Sequence, residues 1–400
     1  MRVSSLQIYR QGIESMQAQQ VKLQKSESQL ASGLRIMKPS DDPSGAVKVL
    51  DLNTNIGVIK QYSRNVSTAI SSLSHEESVI AGVNTSLQRV RELVIQGNNS
   101  TNSDSDKQSI SQEIYQRLDE LLALANTRDA KGDYVFGGFK VDAPPFVDVA
   151  GSISYQGDQG QRFVQVGEGS QVAVGDSGDA VFLRIPNGDG NVQVSAASTN
   201  IGSAIVGTFS ANSSFIPDTY TVSFSQASAS DPVSYTVTDG ASNTVATGTY
   251  SEGSSISFSG VQFALDGLPA DGDTIKVAPS QNQSLFETVR NIADALSRPA
   301  PDSADKARFH NDMAQGLASI DQSLNKVNSI RSSIGARLNT IDTIDSINQD
   351  FTLQLETVLS ETQDLDFAEA ISRFNLQLTA LQAAQQVFIK TTSLSLFQYI

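Results

Sequence analysis

An apolar residue at every seventh position is the feature that most constrains how this chain folds. The repeat occupies Leu52, Ile59, Val66, Leu73, Ile80, Leu87 and Val94. It favours one uninterrupted amphipathic helix, with Ile56 and Ile70 continuing the stripe and Ser63, Glu77, Asn84 and Arg91 interrupting it. Residues 40–43 supply capping side chains and a proline suited to the first turn. A helix over about residues 44–97 would be ~80 Å long, which predicts an elongated molecule.

Both chain ends carry further stripes. A 3-4 spacing starts at Val327 and continues to Leu365, and a second phase follows it at Ile371, Phe374, Leu378, Leu381 and Phe388. The N-terminal stripe is weaker and holds Leu6, Tyr9, Ile13, Met16, Leu23 and Leu30. A lone helix of this kind is marginal in water, so we expect the first helix to pack against the last one, which ends Leu394, Ser395, Leu396, Phe397, Gln398, Tyr399 and Ile400.

The middle of the chain reads as β-structure and is strongly acidic. Between residues 141 and 275 there are two basic residues and 14 acids, so this span holds most of the net charge of −15. Residues 180–185, 219–226, 233–239, 255–265 and 273–279 are rich in β-branched or aromatic residues and are predicted strands. Asp-Gly and Asn-Gly turns separate them. The pattern indicates an antiparallel sandwich or barrel.

The predicted fold is therefore α+β. Long helices from both chain ends form an elongated coiled-coil or bundle rod, and an antiparallel β domain is inserted between them. The terminal helices, residues 1–40 and 365–400, pair with each other as an assembly domain. Residues 41–140 and 281–364 form the helical rod, and residues 141–280 form the acidic outer domain. The element order is helix, long helix, helix, β-insertion, helix, long helix, helix.

Composition excludes several functional classes. The chain has no cysteine, which excludes disulfides, thiolate metal sites and cysteine nucleophiles. Its acidity argues against nucleic-acid binding, which needs a basic surface. There is no apolar run of about 18 residues and no apolar signal-peptide core near the N-terminus. Taken alone, these features indicate a soluble, cytoplasmic protein.

One segment resembles a catalytic loop. Residues 175–179 resemble the nucleophile loop of chymotrypsin-like proteases, with Ser177 as the nucleophile. Such a serine needs a histidine base. Only His75 and His310 are available, and both fall on predicted helices outside the β domain. A tight acidic turn between strands is the favoured interpretation.

Two acidic clusters raise the question of a metal site. Asp364, Asp366 and Glu369 could be drawn as oxygen ligands for Mg²⁺ or Ca²⁺, and so could Asp41 and Asp42. Both clusters lie where a helix is predicted to begin, so capping is the favoured interpretation. We predict no catalytic residue, no cofactor and no metal.

Several segments resemble the bacterial flagellin superfamily. Residues 30–36 and 39–46, LASGLRI and PSDDPSGA, are similar to the N-terminal signature of flagellins and their relatives. Residues 364–370 and 379–384, DLDFAEA and TALQAA, resemble the C-terminal signature. Residues 132–138, GDYVFGG, and the ending LSLFQYI look like the hook-associated members of the superfamily and unlike filament flagellins.

The resemblance implies a structural role outside the cell. Such proteins join the hook to the filament, so the implied partners are hook-associated protein 1 (FlgK), flagellin and further copies of the chain in a ring. It also implies export through the flagellar type III apparatus without a cleavable signal peptide, with a FlgN-type chaperone on the C-terminal helix. Neither nucleic acid nor membrane is an expected partner.

The expected assembly surface consists of the apolar residues of the two terminal helices. It comprises Leu6, Tyr9, Ile13, Met16, Leu23, Leu30, Ile371, Phe374, Leu378, Leu381, Phe388, Leu394, Leu396, Phe397, Tyr399 and Ile400. Two alternatives stay open at this point. One is a filament flagellin, and the more remote one is a secreted enzyme or adhesin that acts through the β-insertion.

Overall fold

The computed structural model of the chain describes residues 5–149, 151–228 and 231–397. The chain forms two compact units. The first unit contains the chain ends, up to Asn65 and from Thr343, and the second unit is Val66–Asp342. The domain boundaries predicted from the sequence stay a prediction.

The helices follow the predicted order. They are α1 Ser5–Ser32, α2 Pro43–Gly97, α3 Asp104–Ala125, α4 Leu285–Ser297, α5 Ser303–Gln363 and α6 Phe367–Phe397. The predicted fold class is confirmed, because long N- and C-terminal helices flank a segment of antiparallel sheet. Among the described residues, no helix is both long enough and apolar enough to cross a bilayer.

In the second unit, the seven-residue stripe of α2 forms much of the helical core. Leu73, Ile80 and Leu87 are completely buried, and Ile320, Val327 and Ile334 of α5 are as well. Burying a side chain of this size contributes roughly 1.5–3 kcal/mol. The stripe predicted from the sequence is thus the buried face of the helix.

Three of the residues that interrupt the α2 stripe bind side chains of α5. The Glu77 carboxylate accepts hydrogen bonds from Arg331, with Nη2 at 2.7 Å. Asn84 Nδ2 donates to Asn328 Oδ1 at 3.0 Å. Arg91 Nε donates to Asp321 Oδ1 at 2.6 Å. These pairs, spaced along an antiparallel helix pair, form a polar ladder beside the apolar seam.

The β-structure is antiparallel throughout its described pairs. The strands are β1 Phe146–Val149, β2 Ser152–Tyr155, β3 Phe163–Gly167, β4 Ser170–Ala173, β5 Ile185–Pro186, β6 Val192–Ala196, β7 Ile205–Ala211, β8 Tyr220–Ser225, β9 Val233–Thr238, β10 Thr244–Tyr250, β11 Ser255–Phe258, β12 Val261–Asp266, β13 Thr274–Pro279 and β14 Asn282–Gln283. A five-stranded sheet has the order β10-β9-β8-β13-β6, and a three-stranded sheet has the order β11-β12-β7. Their apolar faces share one core that includes Val222, Phe224, Phe263 and Leu265. This arrangement is a sandwich.

One predicted strand is wrong. Residues 180–185 do not form a strand, because Asp179–Leu183 is a π-helical turn and only Ile185 enters a short strand. Val181 and Phe182 are adjacent and both fully buried. A strand directs neighbouring side chains to opposite faces, whereas a helical turn can bury both on one side. The segment contains β-branched and aromatic residues because it is buried, and its composition therefore resembled that of a strand.

An aromatic cluster surrounds the π-helical turn. The Phe182 ring lies 5.2 Å from Phe136, 5.4 Å from Phe146 and 5.6 Å from Phe286, measured between ring centroids. Phe136 belongs to the GDYVFGG segment, and Phe286 lies in α4. Gly138 of the same segment has φ +73°, and a Cβ there would collide with the Asp158 backbone carbonyl, so the motif needs glycine at this position.

Candidate functional site

The terminal helices α1 and α6 pack as an antiparallel pair in the first unit. At one end the Tyr9 and Phe388 rings lie 5.1 Å apart. Further along, Ser26 Oγ donates to Gln377 Oε1 at 2.8 Å. A Cβ on Gly12 would lie 2.8 Å from the Phe388 ring, so glycine allows the close approach. The predicted pairing of the two chain ends is therefore present.

The residues predicted for this surface occupy two different positions on the pair. Ten of the predicted side chains are described, and seven of these line the seam and are half-buried, namely Ile13, Met16, Leu23, Leu30, Phe374, Leu381 and Phe388. Tyr9, Ile371 and Leu378 are exposed by 49%, 49% and 36%. The side chains of Leu6, Leu394, Leu396 and Phe397, and the whole of Tyr399 and Ile400, lie outside the described residues.

The structure adds exposed apolar residues that sequence analysis missed. Leu376, Val387 and Ile389 of α6 are 70%, 62% and 65% exposed, and Val21 of α1 is 65% exposed. These residues lie outside the seven-residue spacing, so an analysis that looks for a single apolar seam does not select them. In the sequence, they are visible only as additional apolar residues of the terminal helices outside the stripe.

Residues 33–35 and 363–365 form a short neck, in which backbone hydrogen bonds join the ends of α1 and α5. Leu365 N donates to Gly33 O at 2.9 Å, and Arg35 N donates to Gln363 O at 2.7 Å. Gly33 has φ +71°, which reverses the chain after α1. The two signature segments of the chain ends thus bond to each other through their backbones.

One carboxylate of each acidic cluster beside the neck caps a helix, Asp42 at α2 and Asp366 at α6. Asp366 Oδ1 accepts from Ala368 N and Glu369 N at the start of α6, at 2.9 and 3.2 Å. Asp42 Oδ1 accepts from Gly45 N at 3.0 Å, and this bond, followed by the one from Ser44, lowers the pKa of Asp42.

The neighbouring Asp41 holds the segment between α1 and α2. Its carboxylate lies 2.7 Å from Lys25 Nζ and accepts from Lys38 N at 3.1 Å. The hydrogen bond from Lys25 is the main cause of the lowered pKa of Asp41. Within the described residues, no three acidic or histidine side chains converge as a metal site would require.

A buried carboxyl cluster in the second unit escaped sequence analysis. Glu76 of α2 is completely buried, and its Oε1 accepts from Asp176 N at 2.9 Å. Desolvation, followed by the nearby Asp176 charge, raises the pKa of Glu76 to about 8. Arg337 of α5 donates two bonds to Asp176, at 2.9 and 3.1 Å. Arg337 occupies a polar position in the 3-4 spacing that starts at Val327.

The serine of the protease-like loop has no histidine beside it. Ser177 Oγ accepts from Ala180 N at 3.4 Å, at the start of the π-helical turn. His75 Nε2 lies 3.1 Å from Arg128 O, and His310 Nδ1 lies 2.7 Å from Asn98 Oδ1. Each histidine is therefore engaged elsewhere, and the loop is a structural turn.

Both chain ends match family models. Residues 3–140 match the bacterial flagellin N-terminal helical region, and residues 317–400 match the bacterial flagellin C-terminal helical region. Together with the paired terminal helices, these matches define a flagellin-type structural protein of the bacterial flagellum.

Full-length relatives narrow this class. Flagellar hook-associated protein 3 of Escherichia coli (strain K12) is 27% identical over 399 residues, which is 100% of this chain and 99% of the relative. The crystal structure of Xanthomonas campestris FlgL is 31% identical with a TM-score of 0.72, covering 77% of this chain and 99% of that chain. The flagellar junction protein FlgL from Legionella pneumophila is 34% identical with a TM-score of 0.68, covering 73% and 98%.

The chain belongs to the flagellar hook-associated protein 3 (FlgL) family. The resemblance found in the sequence is confirmed. The prediction of a structural protein without enzymatic activity is confirmed as well, since these relatives are structural proteins of the flagellum.

Proposed function

We propose that this chain is a structural subunit of the extracellular junction between the flagellar hook and the flagellin filament. It assembles through the surface of the α1–α6 pair. The name of the Legionella relative, a flagellar junction protein, supports the location. The remaining support comes from the burial pattern of the first unit.

The proposal depends mainly on one observation: the first unit exposes large apolar side chains and buries few of them. Among the described side chains of the first unit, the buried apolar ones are Ile36, Leu52, Ile56, Leu365 and Ala370. By contrast, Leu376 and Ile389 of α6 expose 70% and 65% of their surface. Covering each such side chain in an assembly contributes roughly 1.5–3 kcal/mol. A pair of helices with this surface gains stability by packing against other subunits.

A junction subunit has one neighbour on the hook side and another on the filament side, and the proposed partners are assigned accordingly. Further copies of the chain form a ring, hook-associated protein 1 (FlgK) lies on the hook side, and flagellin lies on the filament side. Before assembly, a FlgN-type chaperone covers α6, because its outward apolar residues would otherwise aggregate. Export through the flagellar type III apparatus, without a cleavable signal peptide, brings the chain to the tip.

The first test removes residues 366–400 in a motile host. We expect the truncated chain to keep the second unit folded, because its core lies in Val66–Asp342. We also expect cells that bear hooks without filaments. Electron microscopy with an antibody to the chain checks for label at the hook–filament boundary. Normal filaments on the truncated strain would refute the role of the terminal helices.

A second test separates assembly from helix pairing. Ile371→Gln with Leu378→Gln removes exposed apolar groups and leaves the half-buried seam at Phe374 unchanged. The matched control is Ser372→Ala with Thr379→Ala, at the neighbouring exposed positions. We expect loss of motility in the first pair only, with equal helix content by circular dichroism.

The alternative of a filament flagellin predicts a different result. Purified chain would then polymerise by itself into long filaments. We expect the purified chain to remain in short oligomers, since a junction subunit binds the hook side on one face and flagellin on the other and does not build a filament of its own.

A further inference from the structure

Strand β10 forms one edge of the five-stranded sheet. Its residues Thr244–Tyr250 include neither a charged residue nor proline, which are the usual protections of an edge. A register shift lies between Thr244 and Ala246, but Ala246–Tyr250 then pair without interruption with β9. Within the described residues, β9 is the only strand paired with β10. Five consecutive residues therefore present a regular free edge.

The hydrogen bonds of β8 show which backbone groups point outward. Phe224 N donates to Asp273 O at 2.9 Å, and Phe224 O accepts from Gly272 N at 3.0 Å, so both groups face β13. In an antiparallel sheet, the backbone N–H and C=O groups of successive residues point alternately to one neighbouring strand and to the other. Two residues paired across neighbouring strands therefore point either toward each other or away from each other. Phe224 pairs with Tyr235, which pairs with Gly248, so Gly248 bonds toward β9. Thr247 and Thr249 consequently direct their N–H and C=O groups away from the sheet.

Both ends of this edge are acidic. Asp239 lies just before β10, and Asp218 accepts from Gly240 N at 3.3 Å beside it. Bonds from Asn243 lower the pKa of Asp239 and keep it ionised at neutral pH. Asp231 and Glu252 are exposed at the other end of the strand. No lysine or arginine occurs between Arg184 and Lys276.

These charges argue against a second copy of the chain as the occupant. Antiparallel pairing of two β10 strands about Thr247 would bring Asp239 of one copy toward Glu252 of the other. Like charges placed at both ends would repel, and each insertion carries the same excess of acid. An occupant with basic ends meets opposite charges instead.

We propose that β10 is a strand-addition site for an extended segment of another protein, with a neutral, β-forming centre and lysine or arginine at both ends. Backbone hydrogen bonds to Thr247 and Thr249 hold the segment, and the four flanking acids fix its ends.

The faces of the sheet specify the centre of that segment. On the outer face, Thr247, Thr236 and Ser223 lie side by side in register. On the inner face, Ala246 and Gly248 are small and half-buried. A partner strand that alternates hydroxyl and apolar side chains continues both faces.

The test titrates the full chain with a labelled peptide, Lys-Lys-Val-Thr-Val-Thr-Val-Lys-Lys, and follows fluorescence anisotropy. Thr247→Pro removes one outward N–H at a position where an edge strand tolerates proline. We expect its Kd to rise at least tenfold, while the matched Thr247→Val, which keeps the N–H, stays within twofold. Glu252→Gln should weaken binding several-fold at low salt and less at high salt.

Two further arms keep the proposal testable whatever the fold of the proline variant. A peptide methylated on its central backbone nitrogens blocks the same hydrogen bonds without changing the protein, and it should not bind. A peptide with glutamate in place of lysine should bind at least tenfold more weakly. Equal binding of these peptides, or dimerisation of the chain through β10, would overturn the proposal.

Discussion

Glu76 shows how a single residue can oppose the fold that buries it. Its side chain lies in the second unit beside Asp176, and its Oε2 has no hydrogen-bond partner in the structure. Burial raises its pKa from the usual 4.5 to about 8. The folded state favours the protonated form of Glu76. Its contribution to the free energy of unfolding is therefore fully present below about pH 4.5 and is lost as the pH rises through 8.

Replacing Glu76 by glutamine should remove this dependence. Glutamine keeps the shape and an oxygen for Asp176 N, but it carries no charge at any pH. We expect Glu76→Gln to be more stable than the wild type at pH 8, by on the order of 2–5 kcal/mol, and the difference to shrink toward pH 5. Urea unfolding at several pH values measures it. A constant difference across that range would show that Glu76 is not protonated in the folded chain.

Glu76 lies three residues after Leu73 and four before Ile80, so its position falls on the apolar face of α2. A lone carboxylate at such a position does not by itself predict full burial, since Glu77 beside it interrupts the stripe and is not buried. The burial of Glu76 arises because residues 174–178 approach α2 from far along the chain. Asp42 and Asp366 were predictable as caps, since each accepts from a backbone N–H only two or three positions further along the chain.

At the scale of elements, the polar ladder between α2 and α5 sets how the helices align. An apolar seam alone tolerates a slip of one heptad, because each seven-residue step presents similar side chains. A slip would separate Glu77 from Arg331 and Asn84 from Asn328 together. The ladder therefore favours one alignment over its neighbours.

A double-mutant cycle on Glu77 and Arg331 tests this role. We expect Glu77→Arg and Arg331→Glu each to destabilise the chain by about 1 kcal/mol, and the double exchange to recover most of that loss. The matched control is the Glu369–Arg373 pair, which lies within α6 at 3.7 Å. Its cycle should give a coupling near zero, because that pair has no second helix to align. Equal coupling in both cycles would contradict the register role.

Sequence patterns predicted the helices well and one β segment poorly. The α2 repeat has seven apolar positions spaced seven residues apart, and the observed helix, Pro43–Gly97, matches the predicted one within a residue. The segment 180–185 has only six residues and no clear period, so composition decided the prediction. There the Phe136, Phe146 and Phe286 rings favour a π-helical turn around Phe182.

At the scale of the whole molecule, the two units differ in how much apolar surface they bury. Val83, Leu87, Ile114 and Leu121 in the second unit are completely buried. In the first unit, the described apolar side chains of the α1–α6 seam are at best half-buried, apart from Ala370. Local stability follows buried apolar contact, so the two units should open with different free energies.

Native-state hydrogen exchange on the full chain measures this difference. We expect amides in residues 10–30 and 370–388 to exchange at least 100-fold faster than those in residues 79–94, although all lie in long helices. The comparison within α2, between residues 46–58 and 79–94, is the internal control for helix length. Uniform protection across both units would show that the terminal helices are stable without partners.

The sequence alone determined the helices, their order, the caps of α2 and α6, and the pairing of the chain ends. It also determined the family, because the signature segments are local. These features depend on residues within a few turns of one another or on a repeated spacing. Only the tertiary structure decided that Glu76 is buried, that residues 180–185 turn, that the apolar groups of α6 outside its seam are exposed, and that β10 is a free edge. Each depends on contacts between distant segments, which no local pattern encodes.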